Sequence, residues 1–159
     1  MDLRAARRGA VKAAALCALL LAGLRCANHP AEMVDKEVTT LGTAEVAAQL
    51  VEILEPFPPN DLYNYAYVLI YRVLKVHRGQ IPNGEILVGQ YNPLKPRVRV
   101  QDDVSGTVGG HVTAFRAGDI HRITLASPLD ELWMGGIIDK YFNEKCTRFW
   151  AIWTNPGAK

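Results

Sequence analysis

Asn64–His77 constrains the fold most: Asn-Tyr-Ala-Tyr-Val-Leu-Ile-Tyr-Arg-Val-Leu-Lys-Val-His. It is dense in aromatic and β-branched residues, which suit a pleated strand. Read with a period of two, Tyr65, Tyr67, Leu69, Tyr71 and Val73 share one face. Val68, Ile70, Leu74 and Val76 share the other, interrupted by Arg72. Both faces are apolar in the middle, so the strand is expected to be covered on both sides there. Gly79, Pro82 and Asn83-Gly84 follow, and Asn and Gly tolerate the positive φ of a tight turn. Glu85–Tyr91 then resumes the strand, which predicts a hairpin ended by Pro93 and Pro96.

The other elements are shorter. Ala44–Leu54 holds good helix formers, but it is short, stops at Pro56, Pro58 and Pro59, and is read as a strand. Residues 101–111 read as a loop and Val112–Phe115 as a short strand. Ile120–Ala126 alternates, with His121, Ile123 and Leu125 on one face. Leu129–Phe142 is mixed, with a short helix expected around Ile137–Asn143. Arg148–Thr154 is a last strand before Asn155-Pro156-Gly157. Five or six short strands between Gly/Pro turns predict an all-β fold, a small OB-like barrel or sandwich with at most one short helix. Closure would also remove exposed sheet edges.

The N-terminal stretch has a different character. Arg4, Arg7, Arg8 and Lys12 precede the apolar run Ala13–Leu24. Twelve residues fall short of the roughly 20 a spanning helix needs, so residues 1–26 read as a signal peptide. Cleavage is expected between Gly23 and Ala27, and residues 27–43 read as a flexible tether to one β-rich domain over 44–159. The protein is then exported, periplasmic or extracellular. A membrane is involved only if Cys26 is lipidated or the leader is uncleaved. Arg25 directly before Cys26 fits a lipoprotein poorly.

The 159-residue chain carries 18 basic and 16 acidic residues. Residues 1–26 hold five of the basic residues and one acidic, so the remainder has 13 against 15, a net charge of −2. No basic stripe is left to recommend a nucleic-acid partner. Cys26 and Cys146 could pair as a disulfide in an oxidising compartment, or remain separate thiols.

Tyr71–Gly79, Glu85–Val88, Phe115-Arg-Ala-Gly-Asp119 and Ile123-Thr-Leu125 together resemble secreted netrin-like and tissue-inhibitor-of-metalloprotease-like modules over roughly residues 64–126. The resemblance implies a five-stranded barrel of the oligonucleotide/oligosaccharide-binding (OB) type. Inhibitory members of that family start with Cys-x-Cys, whereas Cys26-Ala27-Asn28 lacks the second cysteine. No functional residue of the family carries over.

Chemistry-bearing residues are sparse. None of His29, His77, His111 and His121 stands at metal-ligand spacing, and no cofactor is expected. A site of His111, His121, Asp119 and Asp139 is the metal alternative. Ser105, Ser127 and Cys146 are the nucleophile candidates, with Lys145 and Arg148 near the thiol. Asp102-Asp103 and Asp130-Glu131 read as solvated pairs. The aromatics are the better signal: Tyr65, Tyr67 and Trp133, with His111, form the expected ligand-binding set, on Tyr and Trp faces that stack on sugars or hold peptide. The expected function is a non-enzymatic module binding protein or glycan through that face and the loops 101–111 and 129–146. The alternatives are a small hydrolase or transferase using Cys146 or His111/His121, and a structural subunit of an envelope assembly.

Overall fold

In the computed structural model, residues 35–53 and 64–158 are described. The leader, Cys26, Pro56 to Pro59 and the first part of the expected tether lie outside them. Seven strands form one sheet: β1 (Ala44–Glu52), β2 (Tyr65–Arg78), β3 (Glu85–Tyr91), β4 (Gly109–Gly110), β5 (Ile120–Ala126), β6 (Gly136–Ile138) and β7 (Arg148–Pro156). Among the described residues helix is confined to two short segments, one more than expected, α1 (Lys36–Thr40) and α2 (Leu129–Leu132), with one 3-10 turn at Arg97–Arg99.

The sheet closes on itself. Its order is β1-β5-β7-β3-β2, and β1 also pairs with β2, so five strands form a barrel without an open edge. All neighbours in the ring are antiparallel except β3 and β7, which pair parallel from Leu87↔Arg148 to Gly89↔Trp150. The length of β2 makes closure feasible. Ile70–Arg78 pairs with β1 while Ala66–Arg72 pairs with β3. Register shifts along β1 bend the sheet between the two partners.

Period-two patterning decides what lies inside. Tyr67, Leu69 and Tyr71 of β2 join Val46, Ala48 and Leu50 of β1 and Ile123 and Leu125 of β5 in the barrel core. The good helix formers of Ala44–Glu52 are therefore a strand, because alternate residues are needed on the barrel axis. The opposite face of β2 is covered too. Ala66 and Val68 pack with Leu87, Tyr91, Leu129, Trp133 and Trp150 in a second core outside the barrel.

Three local expectations change. Residues around Ile137–Asn143 are not helical: Gly136–Ile138 is β6, parallel to Tyr65–Tyr67. Gly135-Gly136 disfavours helix and Ile137-Ile138 is β-branched. The helical turn sits earlier, at α2, after Pro128 and with Asp130 and Glu131 in its first turn. Val112–Phe115 is irregular, and strand pairing falls instead on Gly109–Gly110, beside Trp153 and Thr154. The described part of the expected tether, residues 35–43, packs on the barrel: Val38 is buried, and Thr43 N–H donates to the Leu125 carbonyl (2.9 Å).

Candidate functional site

The registers bring the end of β1, the start of β2, the end of β3, the start of β5 and the end of β7 to one barrel end. Residues 92–119 join β3 to β5 across that end. Arg97 N–H donates to the Val112 carbonyl (2.8 Å), Gly118 N–H to Leu50 (2.7 Å), and Leu50 N–H to Asp119 (2.8 Å). Val112 and Phe115 thereby enter the barrel core as a cap.

Beneath the cap lies a buried polar cluster. His121 continues the inward face of Ile123 and Leu125, and its Nδ1 is 3.0 Å from the Tyr71 hydroxyl. Phe115 meets the imidazole edge to face, with ring centroids 5.3 Å apart. Gln90 borders the Tyr71 phenol, and its amide pairs with the Thr154 hydroxyl at 3.2 Å. The Arg97 guanidinium stacks over Phe115, 5.1 Å from the ring centroid.

Burial sets the charge states. It pushes the His121 pKa down to about 4; Asp119 opposes the shift and Arg97 adds to it. Burial also raises the Tyr71 phenol well above its usual range and lowers Arg97 to about 10. At neutral pH the cluster is one guanidinium among neutral polar groups.

Of the expected site residues, Tyr65 and Trp133 both meet Gly136, while Tyr67 and His111 have other surroundings. Tyr67 (2 % exposed) is in the barrel core. Trp133 (5 %) stacks on Trp150 at 5.4 Å and packs on Tyr91 at 4.8 Å. Tyr65 is half-buried and packs against the barrel core. An open Tyr/Trp face is therefore not what these rings form: a barrel this small fills itself with large side chains. His111 lies outside the barrel, exposed, with Nε2 3.4 Å from Asp35 Oδ2 and its ring edge-on to Trp153. His111 and His121 thus meet different neighbours. Among the described residues no three His, Cys, Asp or Glu side chains gather as a metal site requires.

The nucleophile candidates have structural settings. Asp102 Oδ1 accepts from the Val104 and Ser105 N–H groups (2.9 and 2.8 Å), and the Ser105 hydroxyl accepts from Asp102 N–H (2.8 Å). Asp102 is no plain solvated residue, since its Oδ2 also accepts from the Tyr91 hydroxyl at 2.6 Å. Cys146 is a free, exposed thiol 4.0 Å from a Glu144 carboxylate oxygen. Arg148 turns to Asp139 and to the Tyr141, Glu144 and Cys146 carbonyls rather than to the sulfur. Its expected disulfide partner, Cys26, is outside the described residues.

Within the expected binding loop 129–146 lies an exposed apolar segment that sequence reasoning did not single out. Leu132 (47 % exposed), Met134 (90 %), Ile137 (39 %) and Phe142 (72 %) fall within eleven residues around β6. The signal was present in the mixed composition of Leu129–Phe142, where a short helix was expected around Ile137–Asn143. No family model, curated protein or solved structure matches the chain.

Proposed function

We propose that the chain is an exported, non-enzymatic binding module of the cell envelope or extracellular space, and that it holds a protein partner along β6. The carrying observation is the exposed run Leu132, Met134, Ile137 and Phe142. Apolar side chains concentrated in one exposed segment mark interaction surfaces more often than scattered ones do. β6 ends the strand order and, among the described residues, pairs only with β2. Its outer N–H and C=O groups suit an extended segment of another protein, with apolar side chains alongside for specificity. The buried state of Tyr67 and Trp133 favours protein over glycan, because their rings are not offered for stacking.

The basic leader and short apolar run support export. The strand order, with its single parallel contact between the third and fifth barrel strands, supports an OB-type barrel, and the netrin-like resemblance belongs with that reading. The enzyme alternative lacks a constellation: His121 is buried, His111 faces outward, and Cys146 sits beside Glu144.

The test is photo-crosslinking in the producing cell, with the reactive group at Met134 and a control at Arg116. The reading expects one discrete adduct from Met134, lost when Ile137→Glu is added, and none from Arg116. An adduct with a second copy of this chain would move the reading to a structural subunit. Absence of any Met134 adduct would remove the surface. Mass spectrometry of the same material reads the mature N-terminus and any lipid on Cys26.

A further inference from the structure

Among the described residues no carboxylate pairs with the Arg97 guanidinium. Arg97 is 1 % exposed. Nη2 donates to the Asn92 carbonyl (2.6 Å) and the Lys95 carbonyl (3.2 Å). Nε and Nη1 are buried and have no acceptor. Buried N–H groups of native proteins nearly always find a partner, so each orphan needs an explanation.

The neighbours do not provide a counter-charge. Tyr71 and His121 are held neutral by burial. Asp119 biases both of them but makes no ion pair with Arg97. Among the described residues the ion pairs use Arg72, Arg122, Lys140, Arg148 and His111. Phe115 lies over the guanidinium and offers only its π face. A buried cation is ordinarily matched by an anion, and guanidinium N–H groups are well suited to carboxylates and oxyanions.

We propose that Arg97 holds a small anion, a carboxylate or an inorganic oxyanion, in the cap of the barrel, through its Nε donor; Nη1 lies on the other edge of the guanidinium. The anion completes the charge balance of the capped end and ties residues 92–119 to the barrel. This site is separate from the β6 surface and stands or falls independently of it.

The full chain is melted while acetate or inorganic phosphate is titrated at constant ionic strength, with bulky gluconate as the background anion. Wild type gains a saturable rise in Tm, roughly 4 °C at ten times the dissociation constant. Arg97→Met shows no saturable rise. Response to acetate alone assigns a carboxylate site, and response to phosphate alone an oxyanion site. Should Arg97→Met fail to fold, the Arg97 Nε–H resonance of wild type replaces it and shifts saturably with the same anion. An unsaturating drift of Tm shared by both proteins, or an Nε–H resonance that neither anion moves, overturns the proposal and assigns the Nε donor to water.

Discussion

The Tyr71 hydroxyl stands 3.0 Å from Nδ1 of His121, and both side chains are buried inside the barrel. Burial is the main reason the imidazole resists protonation, with a pKa of about 4 against 6.5 for the free residue. In the unfolded chain the ring takes a proton near pH 6.5; in the folded chain it does so only near 4. Between those values the unfolded state binds more protons, so stability falls as pH falls. The full effect is about 3 kcal/mol, and about 2 kcal/mol of it is lost by pH 5. Urea unfolding at pH 7 and pH 5 measures this. His121→Gln should remove most of the dependence in that window, and an equally steep loss in the variant would show that another group is responsible.

Tyr71→Phe tests the same contact from the other side. It leaves the inward ring packing in place but strips His121 of a partner in a region without ready access to water. The expected cost is about 1–3 kcal/mol at pH 7, read from the urea midpoint at unchanged slope.

Asp35 fastens the segment before β1 to the barrel. Its Oδ2 accepts from Trp153 Nε1 (2.9 Å) and Asn155 Nδ2 (2.7 Å), while Oδ1 caps α1 by accepting from Glu37 N–H (3.0 Å). Burial opposes ionisation, but the bonds from Asn155, Trp153 and Glu37 outweigh it and hold the pKa at about 2. The depressed pKa gives stability that is present above pH 3.8 and lost as pH falls through about 2. Asp35→Ala should cost about 1–2 kcal/mol at pH 7. The difference from wild type should shrink toward pH 2, and Trp153 fluorescence should report release of the segment. A gap that stays constant down to pH 2 would contradict the assignment.

The barrel was legible where side-chain period and turn chemistry agree. Asn64–His77 is dense in aromatic and β-branched residues, Asn83-Gly84 marks its turn, and His121, Ile123 and Leu125 share the face that proves to be internal. Pairing between distant segments was not legible. Nothing local says that Gly109–Gly110 lies along Trp153, or that Gly136–Ile138 adds beside Tyr65. The site suffered most. Nothing local distinguishes Arg97 from Lys95 and Arg99, yet Arg97 is buried while Val98 is 63 % exposed. Which of three cations is buried depends on where the cap crosses the barrel end, and that is a tertiary fact.

Trp133 and Met134 are adjacent and opposite in consequence. Trp133 stacks on Trp150 in the outer core, and its Nε1 donates to the Gly136 carbonyl at 3.1 Å. Trp133→Ala should cost about 3–5 kcal/mol, because it opens a ring-sized cavity and orphans a carbonyl. Met134 is 90 % exposed, so Met134→Ser should change stability by less than about 0.5 kcal/mol. Thermal melts of the two variants decide whether Trp133 is core. A stable Trp133→Ala variant would return that ring to the binding surface.

Gly110 is the sharpest backbone constraint in the cap. Its φ is +128°, and a Cβ there would lie 2.1 Å from the Thr154 carbonyl oxygen. The close approach accompanies the His111 N–H bond to that carbonyl (3.1 Å), which joins the cap to β7. Gly110→Ala therefore meets both a disfavoured φ and main-chain atoms that must move, and Thr154 is the residue that pairs with Gln90 inside the barrel. The expected cost is roughly 3 kcal/mol or more. Gly84 makes the control: its φ is +96°, but nothing lies within 4 Å of the added Cβ, so Gly84→Ala meets only the backbone preference, about 1 kcal/mol. Paired urea melts separate the two contributions. Equal losses at both positions would mean that the contact with Thr154 adds nothing and that the cap is not held there.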